Sequence, residues 1–84
     1  MDGKTLFDVL LPATGKHYDF WIPDDMCMQQ AAQLVSQAMG VAEPDFYFPS
    51  KDAALLFSET GEIQDPRVTV AEIGFIDGDC FVLI

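Results

Sequence analysis

Apolar and polar residues alternate along two neighbouring stretches near the start of the chain. Over residues 6–11, Phe7, Val9 and Leu11 share one face while Leu6, Asp8 and Leu10 share the other. Over residues 17–22, Tyr18, Phe20 and Ile22 oppose His17, Asp19 and Trp21. A period of two marks strands with one covered face. The intervening Pro12-Ala13-Thr14-Gly15-Lys16 is a short glycine-containing connection, so the two stretches are expected to form a β-hairpin.

The period changes after Pro23-Asp24-Asp25. Residues 26–39 are rich in Ala, Met, Gln and Leu, which favour helix. Met28, Ala31, Ala32, Val35, Ala38 and Met39 recur at the spacing of a buried stripe, with Gln29, Gln30, Gln33, Ser36 and Gln37 on the other side. An Asp at 24 or 25 suits the helix start, and Gly40 suits a left-handed C-terminal cap. Beyond it, 41–52 carries two prolines and the aromatic run Phe46-Tyr47-Phe48, and reads as a structured connection with room for a short turn or strand.

Residues 54–58 read as a short strand with Leu55 and Phe57 inward and Leu56 outward. Glu59-Thr60-Gly61-Glu62 is a turn, and Ile63 begins a further brief strand that Asp65-Pro66 closes. Thr69 is placed to cap a helical turn running to Gly74. Asp77-Gly78-Asp79 turns the chain into a last strand, 80–84, with Phe81 and Leu83 inward and Cys80, Val82 and Ile84 outward. The order is hairpin, helix, short strands, turn, strand. It predicts an α+β fold: a mixed four- to five-stranded sheet with one main helix packed across it, and the last strand parallel to the first at its centre.

Composition narrows the function classes. Eighty-four residues, half of them hydrophobic, suit one domain over 1–84, leaving room for disorder at 1–4. Fourteen acidic residues against 4 basic ones give a formal net charge of −10. That sign repels phosphate backbones and anionic lipid, so neither nucleic acid nor a membrane surface is an expected partner. No apolar run reaches the roughly 20 residues of a membrane span, and no secretory leader is recognisable, so the expectation is a cytoplasmic chain with reduced thiols.

The order and spacing of these pieces resemble ubiquitin-like (β-grasp) proteins. Three pieces carry the resemblance: Thr14-Gly15-Lys16 with Pro23-Asp24-Asp25 at the helix start; Leu55-Leu56-Phe57 before a Gly turn and Ile63; and residues 68–74 running through Asp77-Gly78-Asp79 into the final strand. Within that superfamily, residues 22–34 and the chain length look most like the YukD/EsaB group associated with type VII (ESX/WXG100) secretion. The resemblance implies a non-catalytic protein-interaction module, peripheral to a membrane secretion complex, with type VII membrane components as partners. The same module is similar to the cytosolic ubiquitin-like domain of a larger type VII membrane subunit. Conjugated modifiers and MoaD/ThiS-type sulfur carriers end in a flexible Gly-Gly tail, whereas Phe81-Val82-Leu83-Ile84 is bulky and strand-like. The carrier reading therefore requires a tail missing beyond Ile84.

Little else suggests chemistry. Cys27 and Cys80 have no CxxC or metal-ligand spacing, and two thiols cannot hold an iron–sulfur cluster. Cys27 near a helix start could be an activated thiol, a reading set against that of a small apolar filler. His17 has no nucleophile or ligand near it in sequence, and Asp77-Gly78-Asp79 lacks the further oxygen ligands of a calcium loop. No catalytic residue, metal or cofactor is expected. The stronger signal is apolar and outward-facing: Leu10, Leu56, Val82 and Ile84, with Trp21 at the edge, are expected on the sheet face away from the helix. Such a patch is expected to dock a protein partner or a second copy, with an acidic rim selecting a basic partner. Two plainer explanations stand beside it: a one-residue slip that swaps the faces, or a cover formed by the 46–48 segment.

Overall fold

A computed structural model describes residues 2–84. The hairpin strands are β1 (Lys4–Leu11) and β2 (Lys16–Pro23), antiparallel in the register Lys4 to Pro23 through Leu11 to Lys16. Then come α1 (Met28–Ala42), β3 (Leu55–Phe57), β4 (Glu62–Ile63), α2 (Val70–Ile73) and β5 (Asp79–Leu83). The described residues form a five-stranded mixed sheet in the order β2-β1-β5-β3-β4, with β5 parallel to β1 and central. Of residues 1–4, position 1 lies outside the described residues, and Lys4 opens β1.

Alternation sorts the sheet as its sequence pattern predicts. Phe7, Val9, Leu11, Ile22, Leu55, Phe81 and Leu83 are buried beneath α1, which contributes Met28, Ala31, Ala32, Val35 and Met39. At one end an aromatic cluster closes this core. Phe7 stacks on Phe81 at 4.2 Å, and Phe75 stands edge-on to Phe81 and Phe7 at 4.9 and 5.6 Å. Thr69 caps α2 by accepting from the Glu72 N–H at 3.2 Å while the Glu72 carboxylate accepts from the Thr69 N–H, a reciprocal capping box. Gly74 supplies the left-handed cap at φ 82°.

The main helix departs from expectation at both ends. It begins two residues later than expected, with Cys27 rather than Asp24 or Asp25 as N-cap. The first helical N–H groups are met by backbone instead: Met28 donates to Val68 O and Gln29 to Pro66 O, each at 2.9 Å. Asp24 serves elsewhere, accepting from the Thr5 hydroxyl at 2.7 Å.

At the other end the helix runs through Gly40 to Ala42, so Gly40 is not its cap. Its role is close approach. A Cβ on Gly40 would lie 2.4 Å from Pro49 Cγ, so only glycine lets the returning chain lie on the helix there. Ser36, expected on the exposed side, is fully buried for the same reason. Its hydroxyl meets Tyr47 Oη at 2.8 Å and accepts from Ser50 N–H at 3.0 Å. Ala38, expected in the buried stripe, is only half-buried.

Candidate functional site

The sheet face away from α1 is where the expected interaction residues fall, and strand register decides which of them meet. Leu10 on β1 pairs with Val82 on β5, Val82 with Leu56 on β3, and Leu56 with Ile63 on β4. Paired positions put their side chains about 5 Å apart on one face. Leu10, Val82 and Leu56 thus form a continuous apolar row across three strands, and Ile63 extends it to the sheet edge. Ile84 stands one step beyond, exchanging backbone hydrogen bonds with Ala54. Trp21 is not part of this row. It pairs with Leu6, four residues along β1 from Leu10, and is 41% exposed.

Between the two apolar zones lies a polar row. Asp19 on β2 is opposite Asp8 on β1, and Asp8 is opposite Cys80 on β5. Carboxylates directly across an antiparallel pair repel one another, a local cost to the sheet. An acidic pair thus crosses the middle of the face. Asp8 accepts on both oxygens: His17 Nδ1 lies 2.9 Å from Oδ1, and the Cys80 thiol donates to Oδ2 at 3.5 Å.

This Cys–Asp–His set is ordered wrongly for an activated nucleophile. Activation needs a base or a cation against the sulfur. Here a carboxylate sits between thiol and imidazole, and burial, with the Asp8 hydrogen bond adding to it, pushes the Cys80 thiol above its usual range. Cys27, the α1 N-cap, has its own N–H bonded to Gln30 Oε1 at 3.1 Å. Among the described residues no group of three or more His, Cys, Asp or Glu is placed to hold a metal ion. No described helix is long and apolar enough to cross a membrane.

The 46–48 segment does not cover this face. Tyr47 and Ser50 tie it to Ser36 on α1, which lies on the other side of the sheet. That anchoring leaves Phe46 at 59% and Phe48 at 87% exposure, beside Val41 at 83%. A second apolar region therefore exists on the helix side. Its sequence signal was the aromatic run itself, but only the Ser36 and Gly40 anchors reveal that the outer two rings point to solvent. An open groove of about 310 Å³ lies between α1 and the β3–β4 side, lined in part by Met28, Ala32, Leu55 and Pro66.

Comparison with known proteins places the fold. The chain is similar to the ubiquitin-like domain of the Mycobacterium tuberculosis type VII secretion system protein EccD1, with a TM-score of 0.73 at 13% identity over 96% of this chain and 97% of that one. It is similar to the EccD5 ubiquitin-like domain of Mycobacterium xenopi, with a TM-score of 0.77 at 10% identity over 96% and 92%. It also matches a chain of the MycP5-free ESX-5 inner membrane complex, with a TM-score of 0.79 at 11% identity, covering 98% of this chain but only 21% of that one. No family model and no curated protein matches. At these identities the likeness shows the fold alone: the chain has a ubiquitin-like β-grasp fold, similar to that of ubiquitin-like domains of type VII secretion proteins.

Proposed function

We propose that this chain is a non-catalytic ubiquitin-like module that docks a protein partner within a bacterial type VII secretion apparatus. The observation that carries this is the apolar row of Leu10, Val82 and Leu56, each only half-buried, crossing the centre of a sheet whose other face packs the core. A partner would remove the part of that row still exposed from water. The net charge of −10 disfavours a second copy in that role and favours a basic partner.

Two settings suit such a module: a separate accessory protein of the YukD/EsaB kind, or the cytosolic domain of a larger membrane subunit. The second draws support from the likeness to EccD domains and from the match to one fifth of a chain in an inner membrane complex. Either setting puts the domain on the cytoplasmic side, peripheral to the membrane, with type VII membrane components as its partners. A sulfur carrier or conjugated modifier cut before its Gly-Gly tail is the alternative, and the fold is also similar to that of Caldiarchaeum subterraneum ubiquitin, with a TM-score of 0.68 at 18% identity.

The test is an affinity capture from native cytosol and solubilised membranes, comparing wild type with a Leu56→Asp/Val82→Asp double variant whose fold is checked by circular dichroism. Wild type is expected to retain type VII membrane components and the folded double variant to lose them. Retention of those components by both proteins would remove the sheet face from the mechanism. Capture of an adenylating enzyme instead would replace the secretion reading with the carrier reading.

A further inference from the structure

The outer face has a pattern finer than a patch. Along β1 the outward side chains read Leu6, Asp8, Leu10, and along β2 their register partners read Trp21, Asp19, His17. An apolar zone, an acidic zone and a second apolar zone therefore succeed one another at intervals of two strand residues, about 6.7 Å each. The second apolar zone broadens over Val82 and Leu56, two strand spacings or about 10 Å across.

Resting on the docking reading above, we infer that the occupant of this face is an amphipathic helix carrying a central Arg or Lys between two apolar residues, spaced apolar, basic, apolar at i, i+4 and i+8 or i+7. Four helical residues rise about 6 Å, close to the step between zones, and all three positions fall within one stripe of the helix. A helix about 10 Å in diameter matches the width of the Leu10, Val82 and Leu56 row.

An extended peptide could match the spacing as well, but it would meet the face poorly. β1, β5 and β3 already have paired neighbours on both sides, so they offer such a peptide no free backbone partners. Its own N–H and C=O groups would lose water without replacement, whereas a helix satisfies them internally.

The central cation follows from the like-charge pair. Asp8 and Asp19 face each other directly, which a sheet tolerates only at a cost. Asp8 already accepts from His17 and Cys80, and Asp19 is exposed with no side-chain partner among the described residues. A guanidinium, with five donors in a planar fork, can answer both carboxylates at once. The flanking apolar zones would shield that contact from solvent.

Three synthetic helical peptides test this, identical except for Arg, Gln or Glu at the central position between two leucines. Titration into the ¹⁵N-labelled protein, followed by NMR, reads affinity and location together. The Arg peptide is expected to shift the amides of Leu6, Asp8, Leu10 and Val82 and to bind about tenfold more tightly than the Gln peptide, with the Glu peptide weakest. An Asp8→Asn/Asp19→Asn variant, which keeps side-chain size, is expected to erase the Arg preference. Equal affinity for all three, shifts confined to the helix side, or no binding by the Arg peptide would each overturn the inference. If native capture still depends on Leu56 and Val82 while the Arg preference is absent, the docking reading survives and only the helix-and-cation partner is lost.

Discussion

The two faces of this sheet are made from alternate residues of the same strands, yet they end in opposite states. Phe81 and Val82 are neighbours on β5: Phe81 is fully buried among Phe7, Phe57 and Phe75, while Val82 lies half-buried in the apolar row on the other face. The inner face has α1 across it and Phe75 closing one end. The outer face has only side chains, interrupted by Asp8 and Asp19. On the inner face hydrophobicity is used up by folding; on the outer face much of it remains available for binding.

If that division is right, substitutions should separate by face. The largest effect is expected for Phe81→Ala, which removes a buried ring stacked on Phe7 and met edge-on by Phe75, and should cost about 3–5 kcal/mol in denaturant unfolding, a large share of the stability of so small a domain. Gly40→Ala comes next. In an ordinary helix this change would gain up to about 1 kcal/mol. Against Pro49 it should instead destabilise by about 1–2 kcal/mol, because the chain folded back over α1 must move. Thr69→Ala should cost about 1 kcal/mol through loss of the α2 cap, read as a lower thermal midpoint.

On the outer face the effects should be small in the free protein. Val82→Thr should change stability by no more than about 1 kcal/mol, and a cost near that of Phe81→Ala would contradict the division between faces. The smallest effect concerns Cys80. With its thiol pushed upward by burial and by Asp8, it should alkylate more slowly at pH 8 than an ordinary exposed thiol, and Asp8→Asn should speed the reaction, as read by mass spectrometry. A thiol raised in the fold contributes stability that is intact below the ordinary thiol range. That contribution is lost as pH rises through the raised value, so a Cys80→Ser protein should show less of this alkaline loss.

Much of the fold was legible because period-two alternation is a local signal. It assigned Phe7, Val9, Leu11, Phe81 and Leu83 inward, and Leu10, Leu56 and Val82 outward, without knowledge of any partner strand. The Thr69 cap was legible for the same reason, since it lies next to the turn it caps, whereas the reciprocal bond from Glu72 came with the structure.

What could not be read depended on contacts between distant segments. The start of α1 at Cys27 follows from Val68 and Pro66 carbonyls reaching its first N–H groups, a pairing nearly forty residues away along the chain. Gly40 had the composition of a cap, but its reason is Pro49. The site was legible to the same depth: the face of each residue followed from alternation, while the separation of Trp21 from Leu10 and the central place of Asp8 and Asp19 required strand register.

Among the described residues, apolar side chains reach solvent on the helix side as well as on the outer sheet face, which is the face proposed to dock a partner. Site-specific photo-crosslinking in native cells compares them directly, with a photoreactive phenylalanine analogue placed at Val82 or Leu56 on the outer face, or at Phe48 on the helix side. Crosslinks to a type VII membrane component from Val82 and Leu56, with none from Phe48, are the expected result. Crosslinks from Phe48 alone would contradict the central claim and move the partner to the surface held in place by Ser36 and Gly40.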